Sequence, residues 1–330
     1  MMQAIVYEKY GPPDVLQLKD VERPTPRDNE VLVRVRAASV NKADWYMLNG
    51  KPFMIRLNPG GIRAPRNKIL GADMAGHVEA VGSDVEQFKA GDRVFGDISS
   101  AGMGAFAEYV SVPEELLAPA PSNLSLEEIA AIPTAGVTAL QGIRDAGEIE
   151  PGQRVLINGA SGGVGTYAVQ IAKAYGTDVT AVCSTRNMDL VRSIGADHVI
   201  DYTSEDFTRN GQRYDLIIGV NGYHSLSDYS SALAPTGTYV CLGGTMRHIF
   251  GSLLLGPVMT RKGGKKIGNM GMVTMNQRGL AEMKELCEAG KVVPAIDKRY
   301  PLAEASEALR YFGEGHARGK VVLTVEQSAQ

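Results

Sequence analysis

One stretch, Leu156 to Lys173, constrains the fold of this chain more than any other. Its sequence, LINGASGGVGTYAVQIAK, is entered from an apolar run (Val155, Leu156, Ile157) and crosses a glycine-rich turn. It leaves as a segment whose apolar positions Val164, Ala168, Ile171, Ala172 and Tyr175 recur at helical spacing. The pattern is strand, tight turn, helix. Within it Ala160, Gly162 and Gly165 occupy the three fixed positions of the dinucleotide-binding fingerprint, with Ala replacing the first Gly. Such a turn must bend sharply, admit a pyrophosphate where a Cβ would stand, and offer it free amides at the positive end of a helix dipole. The anion is expected over Gly162, Gly163 and Val164. A glycine pattern alone often marks only a tight turn, and the legible strand and helix on either side separate this one from that case.

The rest of the chain falls into two textures. Residues 3–120 are rich in short strand-like runs and in Gly and Pro clusters. Val31, Val33 and Val35 alternate with Leu32, Arg34 and Arg36, a half-exposed strand pattern. A connector follows: Ser125 and Glu128 stand at capping-box spacing, and Pro133 ends the first helical segment. From Val155 onward apolar strands alternate with helices, with strands expected at 155–158, 179–183, 198–201, 215–220, 239–242 and 267–272. The expected fold class is α/β, a β-rich domain over 1–123 completed by about 275–330, and a doubly wound parallel sheet over 124–274. The last strand, 320–325, is expected to return to the first domain, because its connection is long and its sequence alternates.

At 330 residues there is room for a core in each domain. Thirty-four Lys and Arg against 37 Asp and Glu give no bulk charge that would favour nucleic acid. The three cysteines, Cys183, Cys241 and Cys287, show no metal-ribbon or redox spacing and read as buried thiols of a reducing compartment. No apolar run reaches membrane length and the first residues lack a signal pattern, so a cytoplasmic protein is expected.

The run Gly152 to Lys173 resembles the signature of the quinone oxidoreductase and ζ-crystallin branch of the medium-chain dehydrogenase/reductases. Gly71, Asp73, Gly76, Val81 and Gly82 resemble that superfamily's N-terminal motif, and the likeness covers essentially the whole chain. It is closest in texture to zinc-free members that reduce quinones or activated alkenes, including a plant chloroplast-envelope form. The resemblance implies a GroES-like catalytic domain, a Rossmann domain, a cleft between them and a homodimer. In the alcohol dehydrogenases of the superfamily Cys, His and Cys hold a catalytic zinc, and the matching positions here are Asn41, Ala72 and Thr134. None replaces a thiolate or imidazole ligand, so no metal is expected.

Near the end of the second strand of a dinucleotide fold an acid selects NAD by accepting from the ribose 2′-OH. The sequence there is CSTRNMD, with hydroxyls and a guanidinium in place of the acid, which favours NADPH with Ser184 and Arg186 as contacts. Resemblance adds Tyr202 beside the 2′-phosphate, Thr138 beside the nicotinamide, and Val220, Asn221, Leu242 and Gly243 along the cofactor. The family's usual lysine in this loop is Asn187 here, which leaves Arg186 or Arg318 to supply the charge.

Asn41, Asp44 and Tyr46 match the polar trio facing the nicotinamide in the quinone oxidoreductases. Asn41 would donate to a substrate carbonyl or a ribose, and Tyr46 to a developing enolate oxygen. Asp44 reads equally as an orienting residue or a helix cap, and Tyr46 has packing as its bland alternative. The basic stretch 51–68 is ordinarily a solvated loop; its sharper reading is a lid in which Phe53, Met54 and Ile55 touch substrate. Residues 261–266 (RKGGKK) allow at most peripheral contact with anionic lipid. Three functions are therefore in play: an NADPH-dependent reductase of quinones or activated alkenes, a zinc-independent carbonyl or alcohol oxidoreductase, and an NADPH-binding protein of low turnover.

Overall fold

The computed structural model describes residues 1–57, 61–260, 264–271 and 274–326. The chain divides into two compact units, one of Met1–Thr134, Met275–Glu288 and Pro294–Gln330, the other of Ala135–Thr274 and Ala289–Val293.

The first unit is built on the strand Glu30–Val40. One of its edges pairs with Asp73–Val81 along most of its length. The other edge is divided: Glu30–Arg34 pair with Tyr109–Pro113, and Ala37–Val40 pair with the last strand, Lys320–Thr324. The last strand thus returns to this unit as expected, and brings Lys320 opposite the end of the central strand. Val31, Val33 and Val35 enter the main core with Met74, Phe106 and Leu323. Leu32, expected to face solvent, is also buried, because the two-stranded sheet Met2–Val6/Gln17–Val21 covers it with Met2, Ala4 and Val6. The second face is therefore covered at Leu32, which alternation alone does not reveal, while Arg36 on the same face stays exposed.

The short helix Leu126–Ala130 begins with the expected capping box: Glu128 N donates to Ser125 Oγ (3.3 Å) and Ser125 N to Glu128 Oε2 (2.8 Å). It belongs to the first unit, where Ile129 and Ala130 are buried, so the division falls at Thr134 rather than at 123. Sequence texture marks where strands give way to helices, and that point differs from where one core gives way to the next.

In the second unit six parallel strands run in the order His198–Asp201, Asp178–Cys183, Arg154–Asn158, Tyr214–Gly219, Leu233–Cys241, Lys266–Asn269. The sequential strands pass outward from Arg154–Asn158 in one direction and then, from Tyr214–Gly219 on, in the other. That reversal leaves a crevice at the carboxyl ends of the two central strands. The sixth strand is shorter than expected, and Met272 lies outside the described residues.

Candidate active site

In the second unit the turn after Arg154–Asn158 is fixed from both sides. Gly159 N and Ala160 N each donate to Val182 O at 3.1 Å, which ties the turn to the neighbouring strand. The backbone turns at Gly159, with φ +91°, one residue before the fingerprint's first position, so Ala160 is compatible with that position. The helix Gly163–Ala174 starts from Gly162 with no side-chain cap. Its first amides, Gly163, Val164 and Gly165, have no carbonyl partner within the helix. A methyl group on Gly162 would meet only Gly159 O, at 3.8 Å; on Gly165 it would stand 2.1 Å from Gly159 O. The two glycines therefore do different things: Gly162 leaves space above the turn, and Gly165 lets helix and turn touch.

The next strand ends complete the rim. Asn158 O accepts from Val220 N (3.0 Å) and Asn221 N (3.2 Å), and Gly219 O accepts from Leu242 N (2.9 Å) and Gly243 N (3.1 Å). The Asn158 amide donates to Tyr229 Oη (2.7 Å) and Asn221 O (3.2 Å), so a buried side chain holds the second loop in place. Thr138 is buried on the helix Pro133–Gln141.

At the end of Asp178–Cys183, Ser184 is half-buried and Arg186 exposed, while Tyr202, 62 % exposed, follows the next strand and donates its N–H to Cys183 O at 3.1 Å. Asn187 is buried; its amide donates to Ser161 Oγ (2.9 Å) and Ser184 Oγ (3.3 Å). Ser184 accepts there and keeps its own hydrogen to give. Asn187 Oδ1 is buried without a partner among the described residues. One acid enters that the linear sequence hides: parallel register sets Asp201 beside Cys183, and Thr185 Oγ donates to its carboxylate. The bonds from Thr185 and Thr203 hold Asp201 below the usual carboxylate range. Thr185 is thereby committed to Asp201.

In the first unit the helix Lys42–Asn49 presents the polar trio. Asp44 is wholly buried and spans two backbone segments: Asn41 N donates to Oδ2 (2.8 Å) and Gly71 N to Oδ1 (2.9 Å). It is a cap and a clamp rather than a group offered to a substrate. Burial dominates the two amide bonds and pushes its pKa up to about 7. Tyr46 is half-buried, with Lys42 Nζ 5.7 Å from its ring centre and no hydrogen-bond partner for its hydroxyl among the described residues. Burial raises its pKa above the usual phenol value. Phe53 and Met54 are exposed (59 % and 63 %), whereas Ile55 packs on the core. Arg56 donates Nε to Gly50 O (2.9 Å) and stacks on Tyr10, so one cation of the basic stretch is structural. Arg318, exposed, donates its N–H to Asp297 at 2.9 Å.

Asn41 is part of a buried network that the motif does not announce. Lys320 Nζ donates to Asn41 Oδ1 (2.5 Å) and pairs with Asp73 Oδ2 (3.3 Å). Asp73 also accepts from Ser39 Oγ (2.8 Å), Thr134 N (2.9 Å) and Thr134 Oγ1 (2.6 Å). Thr134 Oγ1 lies 2.6 Å from Asp97 Oδ2 as well. One hydroxyl hydrogen cannot serve two carboxylates, so one of the acids carries a proton. Asp73 is surrounded by donors, Lys320 among them, which favours the proton on Asp97, from where it would be given to Thr134. Burial, then the charge of Asp73, accordingly raises the Asp97 pKa. A lysine at the head of the apolar run KVVLTV was the available signal for this network. Among the described residues no group of three or more His, Cys, Asp and Glu is arranged to hold a metal ion.

Two family models match the chain, an alcohol dehydrogenase GroES-like domain over residues 27–122 and a zinc-binding dehydrogenase over 194–323. A chloroplastic quinone-oxidoreductase QR1 of Triphysaria versicolor is 34 % identical across 98 % of both chains. An NADPH-dependent alkenal/one oxidoreductase of Arabidopsis thaliana is 33 % identical across 98 % of this chain and 79 % of its own. The solved quinone oxidoreductase of Coxiella burnetii superposes with a TM-score of 0.87 at 31 % identity, covering 98 % of this chain and 99 % of that one. Whole-length similarity of this kind, on a GroES-like unit and a parallel nucleotide-binding sheet, places the chain in the medium-chain dehydrogenase/reductase family of oxidoreductases.

Proposed function

We propose that this chain uses NADPH to reduce quinones or the activated C=C bond of α,β-unsaturated carbonyl compounds, without a metal. The observation that carries the reading is the donor set at the three positions matching zinc ligands. They hold an amide, a methyl group and a hydroxyl, and the amide oxygen and the hydroxyl are already committed to Lys320, Asp73 and Asp97. Nothing there serves as a Lewis acid for an unactivated alcohol or aldehyde, so the acceptor must be electrophilic beforehand. The names of the Triphysaria and Arabidopsis relatives support the same substrate classes.

The residues of the second unit fit a dinucleotide: space over Gly162, uncapped amides at Gly163, Val164 and Gly165, and a crevice at the strand ends. Ser184, Arg186 and Tyr202 favour a 2′-phosphate by hydrogen bonding and charge. A bound nicotinamide supplies the hydride. Asn41 Nδ2 and the Tyr46 hydroxyl are the donors available to an oxygen that gains charge as hydride arrives. Burial raises the Tyr46 pKa further above neutrality, so its hydroxyl serves as a neutral hydrogen-bond donor.

The test is NADPH consumption, with NADH alongside, against 1,4-naphthoquinone, 2-cyclohexenone, an aliphatic enal and a simple aldehyde, with and without chelator. Turnover of the quinone or the enones, insensitive to chelator and absent with the aldehyde, is expected. Reduction of the simple aldehyde, or loss of activity to chelator, overturns the reading.

A further inference from the structure

We propose that Lys320 is a built-in cation that positions and polarises Asn41, so that the Asn41 amide nitrogen is held as a strengthened donor toward the acceptor oxygen. This rests on the reduction of activated acceptors proposed above. The Lys320 side chain is 3 % exposed, and its ammonium contacts Asn41 and Asp73, the latter adjacent in sequence to Ala72 and hydrogen-bonded to Thr134. It therefore stands among the residues at the three positions that in zinc-holding relatives surround the metal, and puts a single positive charge there.

A lysine ammonium only donates, so the amide atom facing it must be the oxygen. The orientation of Asn41 is thereby set by chemistry, with Nδ2 turned away from Lys320. Nδ2 makes one long bond, to Ser39 O at 3.4 Å, which leaves a second hydrogen to give. Donation to Oδ1 by a charged group draws electron density from the amide and strengthens the remaining N–H as a donor. Lys320 is fixed in turn: Asp73 is a buried anion accepting from Ser39 and Thr134, and the backbone of Lys320 donates to Ala295 O at 2.8 Å. Swapping this lysine for a neutral side chain would release the amide to rotate and would weaken its donor.

The experiment compares wild type with K320M, K320R, N41A, N41D and K320M/N41A, measuring turnover of 2-cyclohexenone and the NADPH dissociation constant by fluorescence. Removal of an oxyanion donor costs about a hundredfold or more in kcat. For K320M a fall in kcat of about tenfold or more is expected, with NADPH affinity changed less than threefold. The double variant should be no slower than N41A, and K320R should recover part of the loss. N41D keeps a partner for Lys320 while removing the NH2 group; it should be as slow as N41A. That variant decides the matter if K320M does not fold. Multiplicative losses in the double variant, full turnover by N41D, or a K320M defect confined to NADPH affinity overturns the proposal. Wild type that reduces no acceptor refutes the proposed activity alone. The side-chain amide resonance of Asn41, assigned by its loss in N41A, still reports on Lys320: it should shift in K320M, and an unmoved resonance refutes the contact.

Discussion

A methyl group placed on Gly165 would stand 2.1 Å from the carbonyl oxygen of Gly159, closer than any carbon can approach. The same addition at Gly162 meets nothing nearer than 3.8 Å, and Gly162 has the ordinary φ of −86°. Gly165→Ala should therefore break helix–turn packing and lower the unfolding midpoint or abolish soluble expression. Gly162→Ala should leave the midpoint within a degree or two and weaken NADPH binding at least tenfold, because its methyl fills the space an anion needs. Thermal unfolding with and without NADPH separates the two. Equal loss of stability in both variants would remove the distinction.

Asp44 gives a pH dependence whose sign can be worked out. Its carboxyl is raised from 3.8 to about 7 in the folded chain, chiefly by burial. Between those values the folded state holds a proton that the unfolded state has lost, so this group's contribution to stability falls as pH rises from about 4 to about 7 and is level above. Asp44→Asn cannot titrate, and its NH2 would oppose one of the two backbone amides, at a cost of about 1–3 kcal/mol. Wild type should be the more stable at pH 5, with an advantage that shrinks toward pH 7.5. Denaturation midpoints across that range check it. An advantage that grows with pH would mean the amide bonds outweigh burial.

Local chemistry made the second unit the more legible in the sequence. Its glycine turn and apolar strands are contiguous, and the six strands fall close to their expected places. What escaped notice came from register. Asp201 meets the Ser184 loop only because parallel strands align it with Cys183, and Lys320 meets Asn41 only because the last strand returns to the central one. The positive φ of the turn fell on Gly159, since the fingerprint fixes spacing and leaves the exact bend free. Asp73 stood within a recognised motif, yet its role as counter-ion depends on a residue 247 positions away.

Preference for NADPH should reside in the loop after Asp178–Cys183. Arg186→Ala removes the one guanidinium in Ser184–Asn187, and loss of a charge-assisted hydrogen bond corresponds to about ten- to a hundredfold in affinity. NADPH KM should rise by that factor while NADH KM changes little, so the ratio of the two kcat/KM values collapses. Ser184→Ala should act in the same direction and less strongly. Parallel losses with both nucleotides would place Arg186 in general folding of the loop rather than in phosphate recognition.

Asp73 and Asp97 differ by one proton, and amide substitutions read which of them has it. Asp97 Oδ1 accepts from Ser99 N at 2.8 Å, and Oδ2 faces Thr134 Oγ1. An asparagine there keeps the acceptor for Ser99 and offers an N–H to Thr134, reproducing the protonated acid, so Asp97→Asn should cost less than about 1 kcal/mol. At Asp73 each neighbour is a donor: Ser39, the Thr134 amide and hydroxyl, and Lys320. An asparagine would turn an N–H toward one of them and leave the buried ammonium without its counter-charge, a change of about 3–5 kcal/mol. Asp73→Asn should accordingly destabilise the first unit strongly and slow turnover by freeing Lys320, whereas Asp97→Asn should do neither. Hydrogen exchange in the strands Glu30–Val40 and Lys320–Thr324, with kcat alongside, measures both effects. The reverse ranking would move the proton to Asp73, and with it the ion pair that holds Lys320 against Asn41 would be lost.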